Sequence, residues 1–184
     1  NAYVGSYDYY SIRTGVSLYS ALADGIFYSS SFAVHDPSWG GLGQGRDISL
    51  IRFDTPITGL TPAQLYTGTV HVGDVANIAG FGASAVVGEL ITYDYSKRGY
   101  QNVINNFGIA GNTDNFIGYS FVDVNKPNFM PLGGLLWNAD SGGGWFIEDG
   151  GQLKLAGISS SSTLINGYGP KSFASTFDTA WVNS

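Results

Sequence analysis

Asp47-Ile48-Ser49-Leu50-Ile51-Arg52-Phe53 alternates without a break, and the fold class follows from it. Ile48, Leu50 and Arg52 fall on one side and Ser49, Ile51 and Phe53 on the other, the two-residue period of a β-strand. Working outward, residues 9–18, 26–34, 75–81, 86–93, 117–124, 143–147 and 153–160 are rich in Tyr, Val, Ile, Phe and Ser, which suit a pleated, half-buried surface. Gly and Asn punctuate these runs at short intervals, as in a barrel or sandwich. Helical periodicity is confined to residues 176–182, where Phe177 and Trp181 stand four apart on one face. Residues 54–65 carry Pro56, Gly59 and Pro62 and read as a connector. The expectation is an all-β chain of two lobes with a short C-terminal helix.

Composition narrows the function. Of 184 residues, 43% are hydrophobic, 15% aromatic and only 12% charged, so a packed core is expected rather than disorder. Eight Lys and Arg against 14 acidic residues give a net charge of -6, which argues against nucleic-acid partners, whose phosphates need clustered cations. The most apolar stretch, residues 75–88, contains Gly and Asn and lies between Asp74 and Glu89, short of the roughly 20 residues a membrane span needs. The absence of Cys excludes disulfides, a zinc ribbon and a thiol nucleophile. Asp8, Asp94, Asp114 and Asp123 are scattered, and Gly40-Gly41-Leu42-Gly43 precedes a strand rather than a helix. No metal, nucleotide or other cofactor is therefore expected. The opening Asn-Ala-Tyr-Val-Gly lacks the basic and apolar regions of a signal peptide, so a leader is either absent or already removed.

Asn138-Ala139-Asp140-Ser141-Gly142-Gly143-Gly144 carries the chemistry. A nucleophilic Ser needs a sharp turn that exposes its hydroxyl and aims backbone N–H groups at one point, and glycines permit such a turn. The bland alternative is a Gly-rich hairpin, for which Asp-Ser-Gly is ordinary turn chemistry. Asp47 likewise has two readings: an orienting carboxylate, or a strand-opening Asp that hydrogen-bonds a loop.

In order and spacing, these segments resemble the chymotrypsin/trypsin-like serine proteases. The Asp47 strand is similar to the one that carries the family's triad Asp. The Asp140-Ser141-Gly142-Gly143 turn resembles its nucleophile turn, and Leu155-Ala156-Gly157-Ile158-Ser159-Ser160 its substrate-binding edge. Arg13-Thr14-Gly15, Val34-His35-Asp36-Pro37 and Val75-Ala76-Asn77-Ile78-Ala79-Gly80-Phe81-Gly82 fit the same order, and the end resembles the family's C-terminal helix. Lys97-Arg98-Gly99-Tyr100-Gln101-Asn102-Val103 is similar to a stretch of secreted bacterial members.

The resemblance implies a two-barrel fold. Residues 1–55 would be the remainder of the first barrel, 56–65 the linker, 66–175 the second barrel and 176–184 the helix. Ser141 would be the nucleophile and Asp47 the orienting carboxylate, with Ala139 and Ser141 supplying the oxyanion-hole N–H groups. Asp140 would hold the loop by pairing with a cation. Leu135 and Leu136 would line the primary specificity pocket and favour apolar or small side chains, while Ser160, Ser161 and Ser162 would bind an extended peptide or protein substrate. Secretion is implied by the family alone. The family's Gly at position 139 is Ala here, and its Pro at position 144 is Gly.

The base is missing. A triad needs His to take the Ser proton, yet His35 and His71 match positions where the family has no catalytic residue. The family's catalytic His precedes the strand matched by residues 11–16, so the first barrel as given would be incomplete, with open edges. A cleaved but docked N-terminal segment, a neighbouring protomer, or an incomplete sequence would each account for it. All three predict a β partner along residues 9–35. The competing function is a catalytically inactive protease-fold protein for binding or assembly, its aromatic, low-charge surface and open edge completed by another chain.

Overall fold

Trp145 sits in the core of the main sheet. Its indole is fully buried, lies 5.1 Å from the Tyr119 ring, and satisfies its N–H by donating to Ser159 Oγ at 3.0 Å. Around it forms one antiparallel sheet in the order β6-β5-β8-β9-β10-β7, curled into half a barrel. Its strands are β5 (Val75–Gly80), β6 (Arg98–Val103), β7 (Phe116–Ser120), β8 (Gly144–Asp149), β9 (Gln152–Ile165) and β10 (Gly169–Ser175). In the computed structural model the described residues are 10–13, 27–41, 45–84, 90–93, 96–105, 116–120, 129–165, 169–176 and 178–183.

Alternation decides what faces inward. Ala76 and Ile78 of β5, Trp145 and Ile147 of β8 and Ala156 of β9 enter one core with Ile104, Ile117, Tyr119, Leu136 and Ala174. Register shifts at Trp145/Phe146 and Phe173/Ala174 mark bulges, which bend strands and allow the sheet to curl. Gly150 and Gly151, both with positive φ, close the β8–β9 hairpin in two residues.

Upstream lie two antiparallel pairs, β1 (Tyr10–Arg13) with β2 (Phe27–Ser30) and β3 (Phe32–His35) with β4 (Ser49–Arg52). The run expected as one strand over 26–34 is broken at Ser31. The buried Ser30 hydroxyl accepts the Phe32 N–H at 3.0 Å and reaches the Phe32 and Arg52 carbonyls, turning the chain from β2 into β3. Phe32 and Val34 remain exposed on one face of β3, with the Arg52 guanidinium 4.7 Å over the Phe32 ring.

Residues 54–64 form no strand, and Leu65 bridges to Leu155 of the main sheet. Strands β6 and β10 were not expected from the sequence. Of the strand expected over 86–93, residues 86–89 lie outside the described residues, and among 90–93 only Thr92 pairs, in a bridge with Ser84. The helix, α1 (Thr179–Val182), is shorter than the expected 176–182; Asp178 caps it by accepting from the Ala180 and Trp181 N–H groups, and Phe177 lies outside the described residues. Among the described residues, no helix is long and apolar enough to cross a membrane. The chain is all-β.

Candidate active site

Asp47 stands two residues before β4 and is gripped by the C-terminal sheet. Its N–H donates to Ser175 Oγ at 3.1 Å, and its Oδ2 accepts from Ser160 Oγ at 2.9 Å; both serines are buried. Oδ1 accepts no hydrogen bond among the described residues. Behind Asp47, Arg46 takes the left-handed conformation (φ 58°) and pairs with the buried Asp36 at 3.2 Å, and its guanidinium also lies 4.0 Å from Asp178. Ser160, expected at the substrate edge, thus directs its hydroxyl to the carboxylate. Ser175 was missed because a Ser in a polar strand carries no sequence signal for such a contact.

The turn at 138–144 is built around Asp140. This buried carboxylate accepts the Gly82 N–H at 2.8 Å and the Trp137 N–H at 3.0 Å. A Cβ at Gly80 or Gly82 would run into it, which gives Gly80-Phe81-Gly82 a reason to carry two glycines. The resemblance implies a cation for Asp140; its described hydrogen-bond partners are these two backbone groups.

Inside the turn, the Asp140 N–H donates to Trp137 O, the Gly142 N–H to Ser159 O and the Gly143 N–H to Asp140 O. The Ser159 N–H returns a bond to Gly143 O at 2.8 Å, fastening the turn to β9. The N–H groups of Ala139 and Ser141 donate to nothing among the described residues. The amides of Asp140, Gly142 and Gly143 are thus engaged, and the two that flank Asp140 are left available. Ala139 has φ 73° and Gly142 φ 84°. The first is strained for a residue with a Cβ. Ser141 is exposed.

Two cavities border this turn, and both are lined by Gly142. One, of about 190 Å³, lies between Asp47, Ile48, Ser49 and Ile51 on one side and Gly142, Ile158 and Ser159 on the other. The second, of about 300 Å³, is lined by Ser141 and its neighbours 139–144 and by Ala79, Gly80, Phe81 and Phe146. Asp47 and Ser141 thus flank one glycine from different cavities. Leu136 is buried in the core and Leu135 packs against it; neither lines these cavities.

Along β9, residues 161–165 pair with β10, and no described strand pairs with their opposite edge. Ser161 Oγ is buried there with no hydrogen-bond partner among the described residues, and Ser162 is exposed.

Neither histidine joins the site. His35 is exposed on β3 and meets Trp39 edge-on at 6.0 Å, while His71 is exposed with Nδ1 3.9 Å from Asp74. Among the described residues, no three His, Asp or Glu side chains gather in a way that could hold a metal ion. Burial pushes the Tyr100 phenol far above its ordinary range, reinforced by Tyr119, whose hydroxyl lies 3.3 Å away.

Comparison of the chain with models of known protein families and with curated proteins returned no match.

Proposed function

We propose that the chain is the serine-bearing part of a secreted, trypsin-like serine endopeptidase of two-barrel, chymotrypsin-like fold, acting on peptide or protein substrates. The observation that carries this reading is the turn itself. Exposed Ser141 keeps its own N–H and that of Ala139 free, and Asp47 lines a second cavity that shares Gly142. Such donors suit the oxyanion of an acyl-transfer intermediate.

In the proposed reaction Ser141 Oγ attacks the scissile carbonyl and gives its proton to a His base. The carbonyl oxygen takes up the electron pair and is held by the Ala139 and Ser141 N–H groups. Collapse expels the amine, which receives the proton, and leaves an acyl-enzyme that water hydrolyses in the same manner. Asp47 would orient that His and stabilise its charged form. Since His35 and His71 stand elsewhere, the base belongs to a segment other than these 184 residues. The unpaired edge of β9 at Ser161 and Ser162 offers backbone groups to an extended substrate.

The competing reading is a catalytically inactive protein of the same fold, used in binding or assembly. The off-site histidines and the exposed Phe32 and Val34 favour it.

A fluorophosphonate probe separates the two. The native, undenatured protein is expected to be labelled on Ser141, with labelling abolished in Ser141→Ala. A protein that refuses the probe while folded belongs to the second reading.

A further inference from the structure

Arg46 holds a conformation that residues with a Cβ disfavour, and it does so one residue before Asp47. Its φ is 58° and that of Gly45 is 76°, so two successive residues are left-handed. Such a backbone persists only where its surroundings over-determine it. Here the arginine's own side chain contributes. Arg46 Nη1 donates to Asp36 Oδ2 at 3.2 Å and lies 4.0 Å from Asp178 Oδ2. Asp36 is buried, and its other oxygen accepts the Ser38 N–H at 2.8 Å, so that carboxylate is itself fixed. Asp178 is fixed by capping α1 through Oδ1. One guanidinium thus joins the turn after β3, the approach to β4 and the cap of α1.

The consequence falls on the peptide unit between Arg46 and Asp47. Its carbonyl accepts the Ile48 N–H at 2.8 Å and its N–H donates to Ser175 Oγ at 3.1 Å, so the unit is held at both ends. The torsions of Arg46 set the plane of that unit. Relaxation of Arg46 to a right-handed or extended conformation would turn the N–H off Ser175 and carry the Asp47 carboxylate away from Ser160.

We propose that Arg46 is a positioning residue. Its ion pair with Asp36, backed by Asp178, holds the left-handed backbone that aims the Asp47 carboxylate. The effect on chemistry rests on the serine-hydrolase reading; the effect on the Asp47 backbone does not. Substitution by Gly separates backbone from side chain, because Gly adopts a positive φ freely but makes no ion pair.

The test follows two readouts in the native protein: hydrogen exchange of the Asp47 amide and fluorophosphonate labelling of Ser141. The variants are Arg46→Gly, Arg46→Lys and Asp36→Asn, with Ile147→Val, in the core of the main sheet, as a destabilised control. While folded, Arg46→Gly is expected to lose protection at the Asp47 amide and to label about tenfold more slowly, as a small misplacement of an orienting group can cost that much. Asp36→Asn keeps an acceptor for Ser38, changes both readouts in the same direction, and stands in if Arg46→Gly does not fold. Arg46→Lys keeps a cation for Asp36 and recovers part of both. Ile147→Val changes neither. Unaltered exchange at Asp47 in Arg46→Gly or Asp36→Asn overturns the proposal. So does an Arg46→Lys protein no better than Arg46→Gly, or an Ile147→Val protein equally impaired. Absence of labelling in the unmodified protein overturns the serine-hydrolase reading, and the exchange readout then decides the role of Arg46.

Discussion

Ala139 holds a backbone conformation that costs an L-residue about 1–2 kcal/mol, and it does so where an N–H must point outward. Replacing it by Gly relieves the Cβ clash, although Gly also gives the unfolded chain more freedom. Ala139→Gly is expected to stabilise the protein by up to about 1 kcal/mol, read from the midpoint of urea unfolding at unchanged slope. Gly143 is the reverse case. A Cβ there would overlap the carbonyl oxygen of Ala79 and lie 3.0 Å from that of Asp140. Gly143→Ala should destabilise by about 1–3 kcal/mol in the same assay and slow fluorophosphonate labelling. Asp140→Ala would strip the buried Gly82 N–H of its acceptor, with an expected loss of about 1–3 kcal/mol. Ser141 and Gly142-Gly143 were legible in the sequence because few residue types build such a turn. The donors around Asp140 were not, since any backbone N–H can fill that role and only the folded chain says which does.

At the scale of elements, two ion pairs with similar sequence signals differ in consequence. Arg46–Asp36 joins the loop before β4 to the end of β3, with Asp36 nearly inaccessible. Arg46→Ala would leave that carboxylate buried with the Ser38 N–H among its remaining partners. A loss of about 2 kcal/mol is expected, below the 3–5 typical of wholly buried pairs because Arg46 is partly exposed. Lys154–Asp149, at the β8–β9 hairpin, is half open to water, so Lys154→Ala should cost under about 1 kcal/mol. Comparing the two unfolding midpoints checks the contrast. The same distinction explains which strands could be foreseen. β5 and β8 alternate visibly because one face is buried and the other is not, whereas in β4 Ser49, Leu50 and Ile51 are all partly buried. Strand β6, Arg98-Gly99-Tyr100-Gln101-Asn102-Val103, has a polar, Gly-containing sequence and is a strand because β5 pairs with it residue by residue. Strand β10 opens on Gly-Pro and is held by β9 and β7 on its two edges. Tertiary pairing overrides weak propensity.

For the molecule as a whole, the alkaline limit of stability follows from Tyr100. Its phenol is held protonated far above the ordinary value of 10.0, chiefly by burial. Because the folded value is raised, this contribution is fully present below about pH 10. Above that, the unfolded chain loses the proton while the folded one keeps it. Stability should therefore decline by about 1.4 kcal/mol per pH unit from this group alone. Urea unfolding between pH 9 and 11 should show the decline, and Tyr100→Phe should remove that share of it.

By itself the sequence determined the all-β class, the exposed serine turn and the Asp that opens β4, because period-two alternation and Gly-rich turn chemistry are local properties of the chain. Only the tertiary structure decided that Ser160 and Ser175 clasp Asp47, that Leu135 and Leu136 belong to the core region, and that Asp47 and Ser141 line two cavities sharing Gly142. Those facts depend on how a curled sheet brings residues over a hundred positions apart to the same place, and no local pattern records such a closure.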